Sequence, residues 1–160
     1  MKFLDLHWQL TQMEPQITGV ISESIECGEF INGPEVKAFE TSFAGYVGVD
    51  SCIACANGTD ALELVLEGLE ISQGDEVVVP AMTFVATSEA VFRVGARPVL
   101  VDVAETAVLD FEQVLNALTP QTRAVVVVHL YGYPADVEKL REKLDGVGRR
   151  DVLIIEDAAQ

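Results

Sequence analysis

The sequence predicts an α/β protein of three layers, with a mostly parallel sheet held between helices on both faces. Three observations predict it. Short apolar runs bounded by turn residues recur along the chain. Between them stand segments whose apolar residues fall at helical spacing. From Ser51 onward the two kinds alternate as βαβαβαβαβ, a rhythm that calls for parallel strands joined by helical crossovers. One of those runs, Val152-Leu153-Ile154-Ile155, is four apolar residues in a row, as in a strand buried on both faces.

Before the alternation come two helical patterns. Residues 14–26 carry Ile17, Val20, Ile21 and Ile25 at helical spacing, and Gly28 is placed as a C-terminal stop. After the connector Phe30–Gly33, Pro34 suits a helix's first turn, where its missing N–H costs nothing. Val36, Phe39, Phe43 and Tyr46 then form one apolar stripe, read as ordinary core packing.

The alternating part follows in order. Strands are predicted over 52–56, 76–80, 98–102, 124–128 and 152–156. The helix over 58–69 turns Ala61, Leu62, Val65, Leu66 and Leu69 to one face, and Gly74-Asp75 makes the turn after it. A helix is predicted over 84–94. Asp110 caps one bearing Phe111, Val114, Leu115 and Leu118, and Asp136 caps one bearing Val137, Leu140 and Leu144.

At 160 residues and 49% hydrophobic, the chain suffices for one domain with a core. Its 26 acidic and 10 basic residues give a net charge of −16, which argues against nucleic acid and anionic membranes as partners. No apolar run approaches the roughly 20 residues that span a bilayer. The start, Met1-Lys2-Phe3-Leu4-Asp5-Leu6-His7, has an acid inside its apolar run and no small-residue cleavage site, so a cytoplasmic protein is expected. Three cysteines argue against a disulfide framework. Cys52 and Cys55, three apart in a predicted strand, would point to opposite faces, so they read as small core residues and not a redox pair.

Chemistry gathers at the strand ends. Glu156 and Asp157 close the last apolar strand, and in open α/β sheets that end faces ligands. A carboxylate there needs a positive partner. The protonated ring nitrogen of pyridoxal phosphate is one that fits; a helix cap or a metal ligand is the alternative. Asn57-Gly58-Thr59-Asp60 leaves a predicted strand and opens a helix, so its free N–H groups suit a phosphate. Gly58 permits close approach, Thr59 adds a hydroxyl, and the Asp60 side chain would have to turn away and leave only its N–H. A plain strand-to-helix turn explains the same residues. Phe84 could pack in the core or cover a flat ring. His129 could face the crevice or serve structure.

Taken together, the motifs resemble the DegT/DnrJ/StrS family of pyridoxal-phosphate-dependent nucleotide-sugar aminotransferases. The matching runs are Phe3–Leu6, Phe30–Val36, Asn57–Leu62, Gly74–Pro80, Thr83–Thr87, His129–Gly132 and Ile155–Gln160, in family order. The resemblance implies the large domain of the type I fold of such transferases. Residues 1–160 would be its N-terminal part, with the remaining strands and a small C-terminal domain absent. It also implies site roles. Gly58, Thr59 and the amide of Asp60 would hold the cofactor phosphate, and Phe84 would stack on the ring. Asp157 would pair with the ring nitrogen, and Gln160 would contact the phenolic oxygen. No metal is expected.

The family's Schiff-base lysine would lie beyond residue 160, and none of Lys2, Lys37, Lys139 and Lys143 matches its motif. The implied activity is transfer of an amino group from an amino acid, glutamate by expectation, to a keto-sugar nucleotide by a homodimer. The 160-residue piece alone is expected to be inactive. A sugar dehydratase of the same family, with His at the lysine position, and a non-catalytic regulatory member are the alternatives.

Overall fold

Asp5 accepts a hydrogen bond from the Trp8 amide at 3.4 Å and so starts helix α1, Leu6–Cys27, in the computed structural model, which describes residues 3–160. The helix begins well before the predicted 14–26 and carries Pro15 inside it. Gly28 ends it as predicted, left-handed at φ 70°, its N–H donating to Ser24 O at 3.0 Å. Gly33 leads into α2, Pro34–Val47, and a Cβ there would lie 2.3 Å from Glu29 O, so only glycine fits.

The chain divides into two compact units, the first ending at Ala54. In that first unit the expected core packing does not occur. No residue of α1 is buried, and α2 buries only Ala44. Phe39, Phe43 and Tyr46 are exposed, and Phe39 stacks on Phe43 with ring centroids 5.5 Å apart. Helical spacing tells which residues share a face, not whether anything covers that face.

The strand predicted over 52–56 is also absent. A strand needs a neighbour to take its backbone groups, and no strand pairs with this segment among the described residues. The Ala54 N–H goes to Glu40 Oε1 at 2.8 Å instead. The reading of Cys52 and Cys55 as small core residues falls with it, since Cys52 is only half-buried. All three are free thiols, Cys27 and Cys55 are exposed, and the Cys55 thiol donates to Asn57 O at 3.3 Å.

The second unit holds four parallel strands: β1 Glu76–Pro80, β2 Arg97–Val101, β3 Thr122–Val128 and β4 Leu153–Asp157. All four lie close to the predicted ranges. Helices α3 Gly58–Gly68, α4 Ala86–Arg93, α5 Phe111–Ala117 and α6 Val137–Gly146 complete the unit. Asp110 and Asp136 cap α5 and α6 as expected.

Strand parity divides the core in two. Val77, Val79, Ala124, Val126 and Ile155 meet Leu62 and Leu66 of α3 and Ala90 and Val91 of α4. Val78, Val125 and Val127 meet Val114 of α5 with Leu140 and Leu144 of α6 on the other face. Each buried Leu or Val contributes about 1.5–3 kcal/mol, more than helix propensity does, so burial fixes the layers. The strand order is β2-β1-β3-β4. The chain thus moves one way from β1 to β2 and the other way to β3. That reversal opens a crevice at the carboxyl ends of β1 and β3, the place where such sheets receive ligands. Among the described residues, no helix is long and apolar enough to cross a membrane.

Candidate active site

A pocket of about 390 Å³ opens at the carboxyl ends of β1, β3 and β4. Gly58 and Thr59 reach it from the start of α3, and Phe84 from the turn after β1. His129 enters after β3, with Asp157 and Gln160 at the end of β4. Residues from both ends of the unit's sequence therefore share one cavity.

At the start of α3, Asn57 Oδ1 accepts from the Asp60 N–H at 3.0 Å, and Asn57 Nδ2 donates to Asp60 Oδ2 at 3.0 Å. Asp60 is thus turned to Asn57 and does not line the pocket. Its N–H, the group expected to meet a phosphate, is already held. The Gly58 and Thr59 amides have no carbonyl one turn back, so they and the Thr59 hydroxyl remain for an anion. The Phe84 side chain is 72% exposed and belongs to the pocket wall, not the core.

The two acids of the last strand part company. Asp157 shares the face of Ile155, toward α3 and α4, while Glu156 takes the opposite face. Asp157 Oδ2 accepts from the Thr87 hydroxyl at 3.3 Å, and Oδ1 from the Ala159 N–H at 3.2 Å. Both donors are neutral, and no cation pairs with Asp157 among the described residues. Glu156 instead meets His129 Nε2 at 3.0 Å. His129 Nδ1 accepts from the Ala135 N–H at 3.0 Å, so Nε2 carries the hydrogen and donates to Glu156. Both ring nitrogens of His129 are therefore taken, Nε2 by Glu156 of β4 and Nδ1 by the loop before α6.

Gln160 Oε1 accepts from the Tyr131 N–H. That fixes the amide with its Nε2 donors left for an acceptor in the pocket. No described lysine lines the pocket. Lys139 and Lys143 lie on α6, Lys37 belongs to the first unit, and Lys2 falls outside the described residues. Sequence reasoning missed Thr83 and Thr87. Their signal was a hydroxyl pair one helical turn apart on a side that packs inward.

The family profile of the DegT/DnrJ/EryC1/StrS aminotransferases matches residues 11–160. The chain belongs to that family. The dTDP-3-amino-3,4,6-trideoxy-alpha-D-glucose transaminase of Streptomyces venezuelae is 43% identical over 159 residues, spanning 99% of this chain and 41% of that protein. Among solved structures, S. venezuelae DesV in complex with a ketimine intermediate superposes with a TM-score of 0.93 at 42% identity, over 99% of this chain and 42% of that one. NtdA from Bacillus subtilis with bound cofactor PMP gives 0.87 at 33% identity, over 93% of this chain and 34% of that one. This chain thus spans about two fifths of the length of the aminotransferases it matches. In those relatives the matched region is part of a longer chain.

Proposed function

We propose that this chain supplies the cofactor-holding part of a pyridoxal 5'-phosphate-dependent aminotransferase, which moves an amino group from glutamate to a keto-sugar nucleotide. The observation that carries the reading is Asp157, a carboxylate in the pocket wall whose donors are both neutral. The remaining wall supports it. The cofactor has an anionic phosphate, a flat ring, a phenolic oxygen and a ring nitrogen that takes a proton. The start of α3 with Thr59 suits the first, and the exposed ring of Phe84 suits the second. The Nε2 donors of Gln160 suit the third, and Asp157 suits the fourth.

When bound, the cofactor supplies an electron sink for breaking the C–H bond beside the transferred nitrogen. Asp157 would hold a proton on the ring nitrogen, because a carboxylate beside it favours the charged form of its partner. Gly58, Thr59 and the helix dipole would hold the phosphate end and keep the ring from sliding along the crevice. Phe84 would cover one ring face and keep water from it. The donor amino acid, the keto-sugar nucleotide and a homodimeric, cytoplasmic enzyme come with the family and form part of the proposal, as does the assignment of residues 1–160 to the large domain.

The test uses the protein as its gene encodes it. Pyridoxal 5'-phosphate is titrated in, L-glutamate is added, and release of 2-oxoglutarate is measured. Saturable binding at one cofactor per chain, with 2-oxoglutarate formed, is the expected result. A protein that binds no cofactor overturns the reading. Binding without 2-oxoglutarate overturns the transaminase and selects a family member that holds the cofactor for dehydration or regulation.

A further inference from the structure

Thr87 is 1% exposed, one of few polar side chains buried in the second unit. A hydroxyl in such a place must be bonded or it costs free energy. Its oxygen lies 3.0 Å from Thr83 Oγ1 and 3.3 Å from Asp157 Oδ2. Asp157, when ionised, can only accept, so Thr87 must donate its hydrogen there. That leaves the Thr87 oxygen as acceptor and Thr83 as donor to it. One direction satisfies all three groups: Thr83 O–H to Thr87 O–H to Asp157 Oδ2.

The placement matters as much as the bond. Thr83 and Thr87 enter from the turn after β1 and the first turn of α4, whereas Asp157 ends β4. Thr83 and Asp157 line the pocket; Thr87 sits behind them. The second carboxylate oxygen is held by the amide of Ala159. With one donor on each oxygen, from two different elements, the carboxylate is fixed in rotation. Each oxygen keeps a further lone pair for a ligand.

We propose that Thr87 is a positioning residue for Asp157, and that Thr83 completes the hydroxyl relay by orienting Thr87. The inference rests on the reading of Asp157 as partner of the cofactor's ring nitrogen. A lone pair aimed at a fixed point matters for a ring that the phosphate site already locates at its other end. A carboxylate free to rotate would meet that nitrogen only part of the time.

The experiment is a double-mutant cycle on the protein as its gene encodes it, read as the dissociation constant of pyridoxal 5'-phosphate. Thr87→Val keeps the shape and removes the hydroxyl. It should weaken binding about ten-fold in the wild-type background, as for loss of one bond to a charged acceptor. In an Asp157→Asn background the same change should cost less than about two-fold, because the carboxylate it orients is gone. Thr87→Ser should restore most of the loss. An equal loss in both backgrounds would make Thr87 a packing residue and overturn the proposal, as would no loss at all. Should Thr87→Val not fold, Thr83→Val and Thr87→Ser carry the test. Thr83→Val should then weaken binding about three-fold, again only while Asp157 is present. Failure of the unaltered protein to bind the cofactor would instead strike the function proposed above.

Discussion

At the amino ends of the strands, Glu76 is 5% exposed and receives the Thr119 hydroxyl at 2.7 Å on one oxygen and the Arg97 guanidinium on the other. At the carboxyl ends, Asp157 also has a donor on each oxygen, but neither is a cation. The loop carrying Thr119 is itself tied down, since Arg149 donates to Thr119 O and Thr122 O at 2.8 Å each. Glu76 is thus closed from water with its countercharge in place. Asp157 lies in a pocket wall with no cation paired to it among the described residues. The same chemical group serves structure where the fold completes its partners, and becomes available for chemistry where the fold leaves one position open.

The largest effect should come from breaking the open end. On the proposed function, Asp157→Asn in the protein as its gene encodes it should lower the transamination rate on the order of 10²–10³-fold, as for loss of one preorganised charge contact at a reacting centre. It should change unfolding free energy by less than about 1 kcal/mol, because the side chains match in size and the pocket is open. Rate and denaturation measurements on one preparation decide it, and a variant that loses stability and activity together would refute the contrast.

Breaking the closed end should do the reverse. Glu76→Ala strands Arg97 and Thr119 and should cost about 3 kcal/mol of stability, with cofactor affinity per folded molecule unchanged. The Thr119 hydroxyl, and after it the Arg97 guanidinium, hold the Glu76 carboxyl below its ordinary value of 4.5, against the opposing pull of burial. The folded state therefore releases this proton at lower pH than the unfolded state does. Its contribution is fully present above about pH 4.5 and is lost as pH falls through the folded value. Urea denaturation across that range should show a shallower acid loss in Glu76→Ala than in the unaltered protein. Parallel curves would assign the acid loss to other groups.

The smallest effect sharpens the site itself. Thr59→Val would remove one donor of the proposed phosphate site and leave the Gly58 and Thr59 amides, so binding of pyridoxal 5'-phosphate should weaken only about five-fold. Equilibrium dialysis reads it. A loss beyond about a hundred-fold would mean that the hydroxyl, and not the start of α3, holds the phosphate.

Much of the second unit was legible because its signals are local. A run such as Val77-Val78-Val79 can satisfy its backbone only in a ladder with both faces covered, and all three valines are fully buried. Caps at Asp110 and Asp136 involve residues two or three apart, so their partners are in view from the sequence. The segment over 52–56 has the same apolar composition, yet its pairing depends on a strand elsewhere, and none is beside it among the described residues. The aromatics of α2 failed for a related reason: their shared face was readable and its covering was not.

Of the site, the sequence by itself determined which strand ends carry usable groups, and its motifs pointed to the family. Those facts rest on residue type and order alone. The tertiary structure decided which groups face the pocket. It turned Glu156 away to His129 because strand neighbours point to opposite faces. It tied up the Asp60 amide through Asn57, and it set Thr87 beneath Asp157 across a separation of 70 residues. Contacts of that kind depend on strand order and helix placement, which residue pattern alone leaves undetermined.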